Sequence, residues 1–252
     1  MSVPKIELRD VHKAFGAKTV LDGIDLRIMR GESLVVIGGS GTGKSVTIKC
    51  ILGIETVDSG DVLLDGEVPT RRTRAAFIDR FGMLFQGAAL FDSLPVWENV
   101  AFRLRHGRGR LGRAAARDLA VEKLAQVGLG AATADLYPAE ISGGMQKRVG
   151  LARAIATDPD VMFFDEPTAG LDPIMAGVIH ALIRKVVTDL GATALTISHD
   201  MGTVATVADS VAMLHDGKVR WKGPLTDMDS AGDPWLDQFI HGRPDGPIPT
   251  LR

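Results

Sequence analysis

The chain has 252 residues, of which 45% are hydrophobic and 24% are charged, and its formal net charge at pH 7 is −2. This length allows one large domain or two small ones with an ample apolar core, and the small net charge offers no general attraction for nucleic acid. The single cysteine, Cys50, excludes a disulfide bond within the chain. The first ten residues lack the apolar stretch of a signal peptide, and no apolar run approaches the roughly 20 residues of a membrane helix. If the protein works at a membrane, we expect other chains to span it.

Alternating or continuous apolar runs predict the strands of the chain. In chain order they lie at residues 5–9, 24–28, 34–37, 62–64, 81–85, 161–164, 193–197, 211–214 and 218–221. Asp216 and Gly217, between the last two, are a two-residue hairpin signal. Gly53 suits the end of one helix and Pro173 the first turn of another. Strands that alternate with helices predict a mostly parallel sheet covered by helices.

Strand signals are missing between residues 88 and 159, where helical spacing appears instead, for example at Leu119, Leu124 and Val127. This stretch predicts a helical insertion in the strand-rich core. The predicted organisation is a nucleotide-binding core at residues 1–87 and 160–225, a helical subdomain at residues 88–159 and a C-terminal extension at residues 226–252. The last stretch, residues 243–252, is rich in proline and glycine and predicts an extended tail without its own core.

A glycine-rich loop between the strand at residues 34–37 and a helix matches the phosphate-binding pattern G-x-x-x-x-G-K-[ST]. The loop and the start of its helix comprise Gly38, Gly39, Ser40, Gly41, Thr42, Gly43, Lys44, Ser45 and Val46. Glycines let backbone N–H groups approach a polyphosphate, and the helix directs its positive end at the same anion. We expect Lys44 to reach the β- and γ-phosphates and the Ser45 hydroxyl to bind Mg²⁺.

An acidic pair, Asp165 and Glu166, follows another buried strand. Asp165 is expected to hold Mg²⁺, directly or through water, and Glu166 to accept a proton from the attacking water or to orient it. Acidic pairs are common after strands. This pair indicates a role in nucleotide hydrolysis only because the chain also has a phosphate-binding loop. Gln86 and His199 also follow predicted strands. Because ligands bind at the carboxyl ends of parallel strands, we expect these residues to share one site with the loop.

A second anion-binding helix start is predicted by Ser142, Gly143, Gly144 and Met145. Ser142 suits an N-cap, and the two glycines let the backbone approach a ligand. A single phosphate-binding fold has no use for this helix N-terminus in its own site.

In order and kind, these motifs resemble those of the ATP-binding-cassette (ABC) ATPases over residues 3–221. The resemblance implies an α/β P-loop NTPase cassette, with a RecA-like, mostly parallel sheet core, an antiparallel β subdomain and a helical subdomain. It implies ATP and Mg²⁺ as cofactors, Gln86 as the Q-loop glutamine near Mg²⁺ or water, and His199 as the switch histidine on the γ-phosphate. Phe15 lies where the family usually stacks a tyrosine on adenine, and Asp172 belongs to the D-loop at the interface between cassettes.

The same resemblance implies a homodimer of cassettes docked head to tail. Each ATP is then enclosed between one chain's phosphate-binding loop and residues 142–145 of the other chain, which explains the second helix N-terminus. ATP hydrolysis at the cytoplasmic face of the inner membrane would be coupled to transport through integral membrane permease subunits. No nucleic acid partner is implied.

Three local features resemble the cassettes of Mla-type (MCE-linked) phospholipid transporters: residues 84–94, Met145 with the three residues after it, and residues 245–249. They imply a phospholipid cargo, an MCE-domain substrate-binding partner and a C-terminal extension that reaches the partner cassette. Three alternatives remain open at this point. They are an importer for a polar solute, a non-transport ABC protein acting on DNA or translation, and an ordinary P-loop kinase, which leaves residues 142–146 unexplained.

A cluster of arginines lies between residues 102 and 117 without any acidic residue. Its members are Arg103, Arg105, Arg108, Arg110, Arg113 and Arg117. One interpretation is a solvated loop and helix face. The other is a surface for anionic lipid headgroups or for an acidic face of the membrane subunit.

Overall fold

The computed structural model describes residues 2–107 and 110–249. The chain forms two compact units, a first unit of Met1–Ala75 with Leu195–Arg252 and a second unit of Ala76–Ala194. In the part of the chain that the structure describes, no helix is long and apolar enough to cross a membrane.

Nine strands and nine α-helices are described. In chain order they are β1 (Ile6–Phe15), β2 (Lys18–Ile28), β3 (Ser33–Ile37), α1 (Lys44–Leu52), β4 (Ser59–Leu64), α2 (Arg71–Asp79), β5 (Phe81–Leu84), α3 (Val96–Val100), α4 (Phe102–His106), α5 (Arg113–Gln126), α6 (Gly143–Ala154), β6 (Val161–Asp165), α7 (Pro173–Leu190), β7 (Thr193–Ile197), α8 (Met201–Val207), β8 (Ser210–His215), β9 (Lys218–Pro224) and α9 (Pro234–Ile240).

The first unit contains an antiparallel sheet of three strands in the order β2-β1-β4. Ile6 of β1 lies opposite Ile28 of β2 on one side and Leu64 of β4 on the other. All three side chains are buried, so one face of the sheet packs into the apolar core. β1 is longer than the strand predicted at residues 5–9 and ends at Phe15.

The first unit also contains the end of β7, followed by β3, β8 and β9 as successive neighbours. β3 pairs with β8 in parallel, and all five residues of β3 are buried, as expected for a strand covered on both faces. β8 and β9 form the predicted hairpin. Asp216 and Gly217 at its turn have φ values of 45° and 72°, and two left-handed residues suit a two-residue hairpin.

In the second unit β5 and β6 pair in parallel, with Leu84 opposite Phe164, and the start of β7 belongs to the same unit. Between residues 88 and 159, the described residues form helices α3 to α6 and short 3₁₀ turns, in agreement with the predicted helical character. Buried residues such as Trp97, Leu124 and Val149 pack these helices around an apolar core.

Three helices outside residues 88–159 were not predicted from the sequence: α2, α8 and α9, of which α8 has only seven residues. α2 buries only Phe77, so its apolar face is too small to show a helical repeat. α9 is seven residues long and depends on long-range contacts. Asp233 caps its first turn and pairs with Arg220 of β9 at 2.8 Å, while the Arg220 guanidinium stacks on Trp235.

Residues 243–249 of the predicted tail include no buried residue and so have no core of their own, but they contact α9. The buried amide of Gln238 donates to the carbonyl oxygens of Arg243 (3.3 Å) and Ile248 (3.1 Å) and accepts from the Ile248 N–H (2.7 Å). Gly246 packs so closely on this amide that a Cβ would collide with it. Residues 243–249 therefore fold back on α9, whereas the last three residues of the predicted tail lie outside the described residues.

Candidate functional site

The phosphate-binding loop connects β3 to α1 in the first unit, and two of its positions require glycine. Gly38 and Gly43 have φ values of 147° and 100°. At Gly38 a Cβ would collide with the carbonyl oxygen of Leu214, and at Gly43 it would lie 2.7 Å from Cδ2 of Leu21. The loop can therefore pack this closely against β8 and β2 only because these two residues lack side chains.

Lys44 is buried at the start of α1, and its ammonium group lies against the inner side of the loop. It donates to the carbonyl oxygens of Gly38 and Gly39, at 2.7 Å each. The Thr42 hydroxyl donates to the Gly39 oxygen as well, at 3.0 Å. These contacts hold a positive charge at the loop, as a phosphate site requires. Of the other predicted loop residues, Ser40, Gly41 and Ser45 are exposed and Val46 is half-buried.

His199 lies in the same unit and is exposed. The preceding residue, Ser198, donates its N–H to the carbonyl oxygen of Val36 in β3 at 3.2 Å. The following residue, Asp200, caps α8 by accepting the Gly202 N–H at 2.9 Å. His199 is thus held between two anchored neighbours, directly beside the strand that leads into the phosphate-binding loop.

Phe15 ends β1 with about half of its surface exposed. The Lys13 ammonium lies 5.2 Å from the centroid of the ring and pairs with Asp58 at 3.1 Å. A hydrogen bond from the Ala14 N–H (2.6 Å), together with Lys13, lowers the pKa of Asp58. The strand end that carries Phe15 is therefore anchored, and its aromatic ring is available for stacking on a base.

The structure brings Gln86 and the acidic pair to one edge of the second unit. β5 and β6 are parallel neighbours, so Gln86 and the pair Asp165 and Glu166 leave the sheet on the same side. Glu166 has a φ of 46°, a conformation that costs a non-glycine residue on the order of 1–3 kcal/mol. Such strain is often retained where a side chain must point in a particular direction.

Ser142 begins α6 as the predicted N-cap, because its hydroxyl oxygen accepts the Met145 N–H at 3.3 Å. Ser142 and Gly143 are exposed. Gly144 is covered by the Met175 methyl group, which would lie 2.7 Å from a Cβ at this position. The N-terminus of α6 therefore presents exposed backbone N–H groups to solvent.

Asp172 has a structural role that the sequence analysis did not anticipate. Its Oδ1 accepts the N–H groups of Ile174 and Met175, at 3.0 Å each, and so caps α7. Asp172 and Ile174 are exposed, with the Ile174 side chain among the most exposed apolar groups described.

Comparison with known proteins identifies the family. The model of the ABC transporter family matches residues 21–169, more than half of the chain. The chain belongs to the ABC transporter ATPases. Its activity is ATP hydrolysis, and the predicted family and enzyme class are confirmed. Membership of this family removes the alternative of an ordinary P-loop kinase.

Several relatives of this ABC ATPase match over nearly the whole chain. It is 38% identical to the intermembrane phospholipid transport system ATP-binding protein MlaF of Escherichia coli, covering 97% of this chain and 91% of MlaF. It is 40% identical to the protein TRIGALACTOSYLDIACYLGLYCEROL 3, chloroplastic, of Arabidopsis thaliana, covering 96% and 75%. It is 37% identical to the probable ribonucleotide transport ATP-binding protein mkl of Mycobacterium tuberculosis, covering 96% and 68%.

Solved structures confirm the predicted fold class. The ATP-binding cassette MJ0796, in a dimeric post-hydrolysis state with ADP and Pi, is 28% identical, with a TM-score of 0.78 over 87% of this chain and 98% of that one. The protein cbiO1 of Clostridium perfringens, part of the ABC transporter complex cbiONQ, is 27% identical, with a TM-score of 0.81 over 91% and 92%.

Sequence reasoning missed an apolar groove of about 520 Å³ in the second unit of this ABC ATPase. Its apolar walls include Phe81, Met83, Phe85, Phe91, Phe102 and Ala154. Arg103 lies at the groove and donates to the carbonyl oxygens of Phe81 (2.5 Å) and Ile78 (2.8 Å), and burial lowers its pKa. The unusual density of phenylalanines between residues 77 and 102 was the available sequence signal.

Most of the arginine cluster has partners outside the cluster. Arg105 and Arg113 lie 5.7 and 4.9 Å from the Trp97 ring and pair with Glu98 at 3.3 and 3.1 Å. Arg117 pairs with Asp135 at 2.6 Å. These contacts favour a structural role over an open lipid-binding surface, and Arg108 lies outside the described residues.

Proposed function

We propose that this ABC ATPase powers phospholipid transport between bacterial membranes, as the ATP-binding subunit of a Mla-type transporter at the cytoplasmic face of the inner membrane. The observation that carries the proposal is the 38% identity to MlaF across 97% of this chain and 91% of that relative. The Mla-like residues 84–94 and Met145 support the same cargo.

In this proposal the phosphate-binding loop and Lys44 hold the phosphates of ATP, and Phe15 stacks on its adenine. Ser45, Gln86 and Asp165 supply hydroxyl, amide and carboxylate oxygens, which are the ligands that Mg²⁺ prefers. Mg²⁺ keeps several waters and takes few carboxylates, so in this proposal a single carboxylate, that of Asp165, is sufficient. Bound Mg²⁺ would neutralise charge on the β- and γ-phosphates.

The remaining roles concern the attacking water and the partner chain. Glu166 would accept a proton from the water or orient it, and His199 would bind the γ-phosphate. Ser142 to Met145 and Asp172 would act on the nucleotide of a second copy, since MJ0796 has been solved as a cassette dimer. ATP would then supply the differential affinity that closes the dimer, and hydrolysis would remove it.

We also propose integral membrane permease subunits and an MCE-domain protein as partners. The cbiO1 relative is described as part of a transporter complex, and MlaF as part of a transport system. The apolar groove of the second unit is suited to an apolar segment of the permease, because a groove lined by five exposed or half-buried phenylalanine and methionine side chains favours burial by a partner.

A polar-solute importer is the second candidate. It is supported by the 37% identity to mkl, whose name includes ribonucleotide transport. The same residues would hydrolyse ATP whichever cargo is transported, so they do not distinguish the two candidates.

The cargo is tested by expressing the chain with candidate permease and MCE-domain proteins from the same organism and reconstituting the complex in vesicles. We expect phospholipid to co-purify and fluorescent phospholipid to move between vesicles in the presence of ATP. A matched complex with Lys44→Ala should bind the same lipid but lose at least about 90% of the ATP-dependent transfer, as expected for a lost phosphate contact. ATP-dependent ribonucleotide uptake without lipid movement would favour the importer instead.

A further inference from the structure

Two cations of α6, the buried Lys147 and the half-buried Arg153, hold the loop that follows β5, which we call the Gln86 loop (residues 85–90). Lys147 is 6% exposed and donates to the backbone carbonyl oxygen of Gln86. Arg153 donates through Nη2 to the carbonyl oxygen of Ala88 at 2.5 Å and through Nη1 to that of Ala89 at 2.7 Å. Three carbonyl groups within four residues are therefore bound by side chains of one helix.

The Gln86 loop needs such support because its backbone is strained. Ala88 and Ala89 have φ values of 59° and 49°, a left-handed conformation that alanine disfavours and that two successive residues rarely share. α6 reaches the loop through Gly150, where a Cβ would lie 2.8 Å from Cδ1 of Leu84 and 3.2 Å from Cβ of Ala88. The shape of the loop is thus imposed by α6 and not by its own sequence.

Placing two cations at this position reduces the free energy gained on folding, because the charged groups lose contact with water. Burial lowers the pKa of Lys147 and of Arg153, which means that the folded chain disfavours the charged forms relative to water. Their acceptors in the Gln86 loop are carbonyl oxygens, so the contacts orient the backbone of the loop and do not simply neutralise charge. If residues 147 and 153 only stabilised the packing of the helices, apolar side chains would be more favourable at these positions.

We infer that Lys147 and Arg153 are positioning residues for ATP hydrolysis, which hold the Gln86 loop so that the Gln86 side chain is directed at Mg²⁺ or the attacking water. The inference rests on the proposed role of Gln86. The two contacts also connect this loop to the helix that begins at Ser142. Ala89 and Arg153 also line the apolar groove. A partner bound in the groove would therefore contact both the Gln86 loop and one of the two residues that hold it.

The test compares Lys147→Met with the wild type in the full-length chain within its transporter complex. We expect kcat to fall about tenfold, a loss typical of a misplaced catalytic group, while KM for ATP stays within about twofold. Hydrogen exchange of residues 85–90 should become at least about tenfold faster because the loop is released. Lys123→Met is the matched control, since Lys123 is 4% exposed in the same unit but pairs with Asp158 at 2.5 Å, away from the Gln86 loop.

A double variant shows whether Lys147 acts through Gln86. If it does, Lys147→Met combined with Gln86→Ala should be no slower than Gln86→Ala alone. Additive losses, unchanged exchange at residues 85–90, or an equal loss of kcat in Lys123→Met would overturn the inference. A different result would contradict the proposed role of Gln86: residues 85–90 exchange faster in Lys147→Met, but kcat stays at the wild-type value in both Lys147→Met and Gln86→Ala. Should Lys147→Met fail to fold, Arg153→Lys, which keeps the charge but loses the two-pronged contact, has the same expected outcomes.

Discussion

At the scale of the residue, Glu166 combines a carboxylate with a strained backbone. It follows β6 directly, and its φ of 46° turns the chain sharply before Pro167. The Ala169 N–H donates to the Glu166 carbonyl oxygen at 3.2 Å and closes this turn. The carboxylate is therefore positioned by the backbone of the segment after β6, and a substitution that keeps its shape should leave that segment intact.

Glu166→Gln should bind ATP with near wild-type affinity and lose roughly 10²–10⁴-fold in kcat, because the amide cannot accept a proton from water. A fluorescent ATP analogue measures binding, and phosphate release measures turnover. The closed dimer should accumulate in gel filtration with ATP. Glu122→Gln, an exposed change in α5, serves as the control, and near-normal hydrolysis in Glu166→Gln would remove this residue from the role of base.

At the scale of the element, the apolar groove is built by packing between β5, α4 and α6 of the second unit. Phe91 and Phe102 have ring centroids 4.5 Å apart at its edge. The Phe91 backbone is held independently of its ring, since its N–H donates to Asn99 Oδ1 at 2.7 Å and its carbonyl oxygen accepts from the Asn99 amide at 3.1 Å. The ring can therefore be changed while the segment stays in place.

Phe91→Glu should reduce co-purification of the permease by at least about tenfold, because a carboxylate would have to be desolvated within the groove. Val68→Glu is the matched control. Val68 is 57% exposed and Phe91 42% exposed, but Val68 belongs to the first unit. The measurement is the ratio of permease to ATPase after affinity purification. Equal ratios for the two variants would show that the permease binds elsewhere.

At the scale of the whole molecule, the proposed function requires two copies of the chain. The exposed N-terminus of α6 is unexplained by a single chain, and MJ0796, which has the same fold, has been solved as a dimer. The C-terminal tail is the second feature that concerns contact between two copies. The proposal that it reaches the partner cassette stays a prediction, and residues 243–249 are anchored to Gln238 of their own chain.

Ser142→Arg should abolish hydrolysis while isolated chains still bind ATP, because the substituted residue acts on the partner's nucleotide. Mixing Ser142→Arg chains with Lys44→Ala chains should restore part of the activity, since the mixed dimer contains one site with intact Lys44 and Ser142. Each variant alone is the control. Loss of ATP binding by the Ser142→Arg monomer would contradict the two-chain model.

The sequence alone determined the elements and motifs that depend on short-range chemistry. The glycine loop before Lys44, the left-handed cap at Gly53, the turn at Asp216 and Gly217 and the N-cap at Ser142 are written in a few adjacent residues. Each requires a particular residue type at a particular place. The order of such motifs was sufficient to predict the family and the fold class.

Only the tertiary structure decided the features that join residues distant in the chain. Gly38 must be glycine because of Leu214, and the Gln86 loop takes its shape from Lys147, 61 residues further on. Arg113 and Arg117 have acidic partners, Glu98 and Asp135, that lie outside the predicted cluster, and the tail folds on Gln238. The physical reason is that burial and hydrogen bonding depend on which neighbours the fold brings together. The periodicity of a sequence indicates which face of an element is buried, but it does not indicate which other element covers that face.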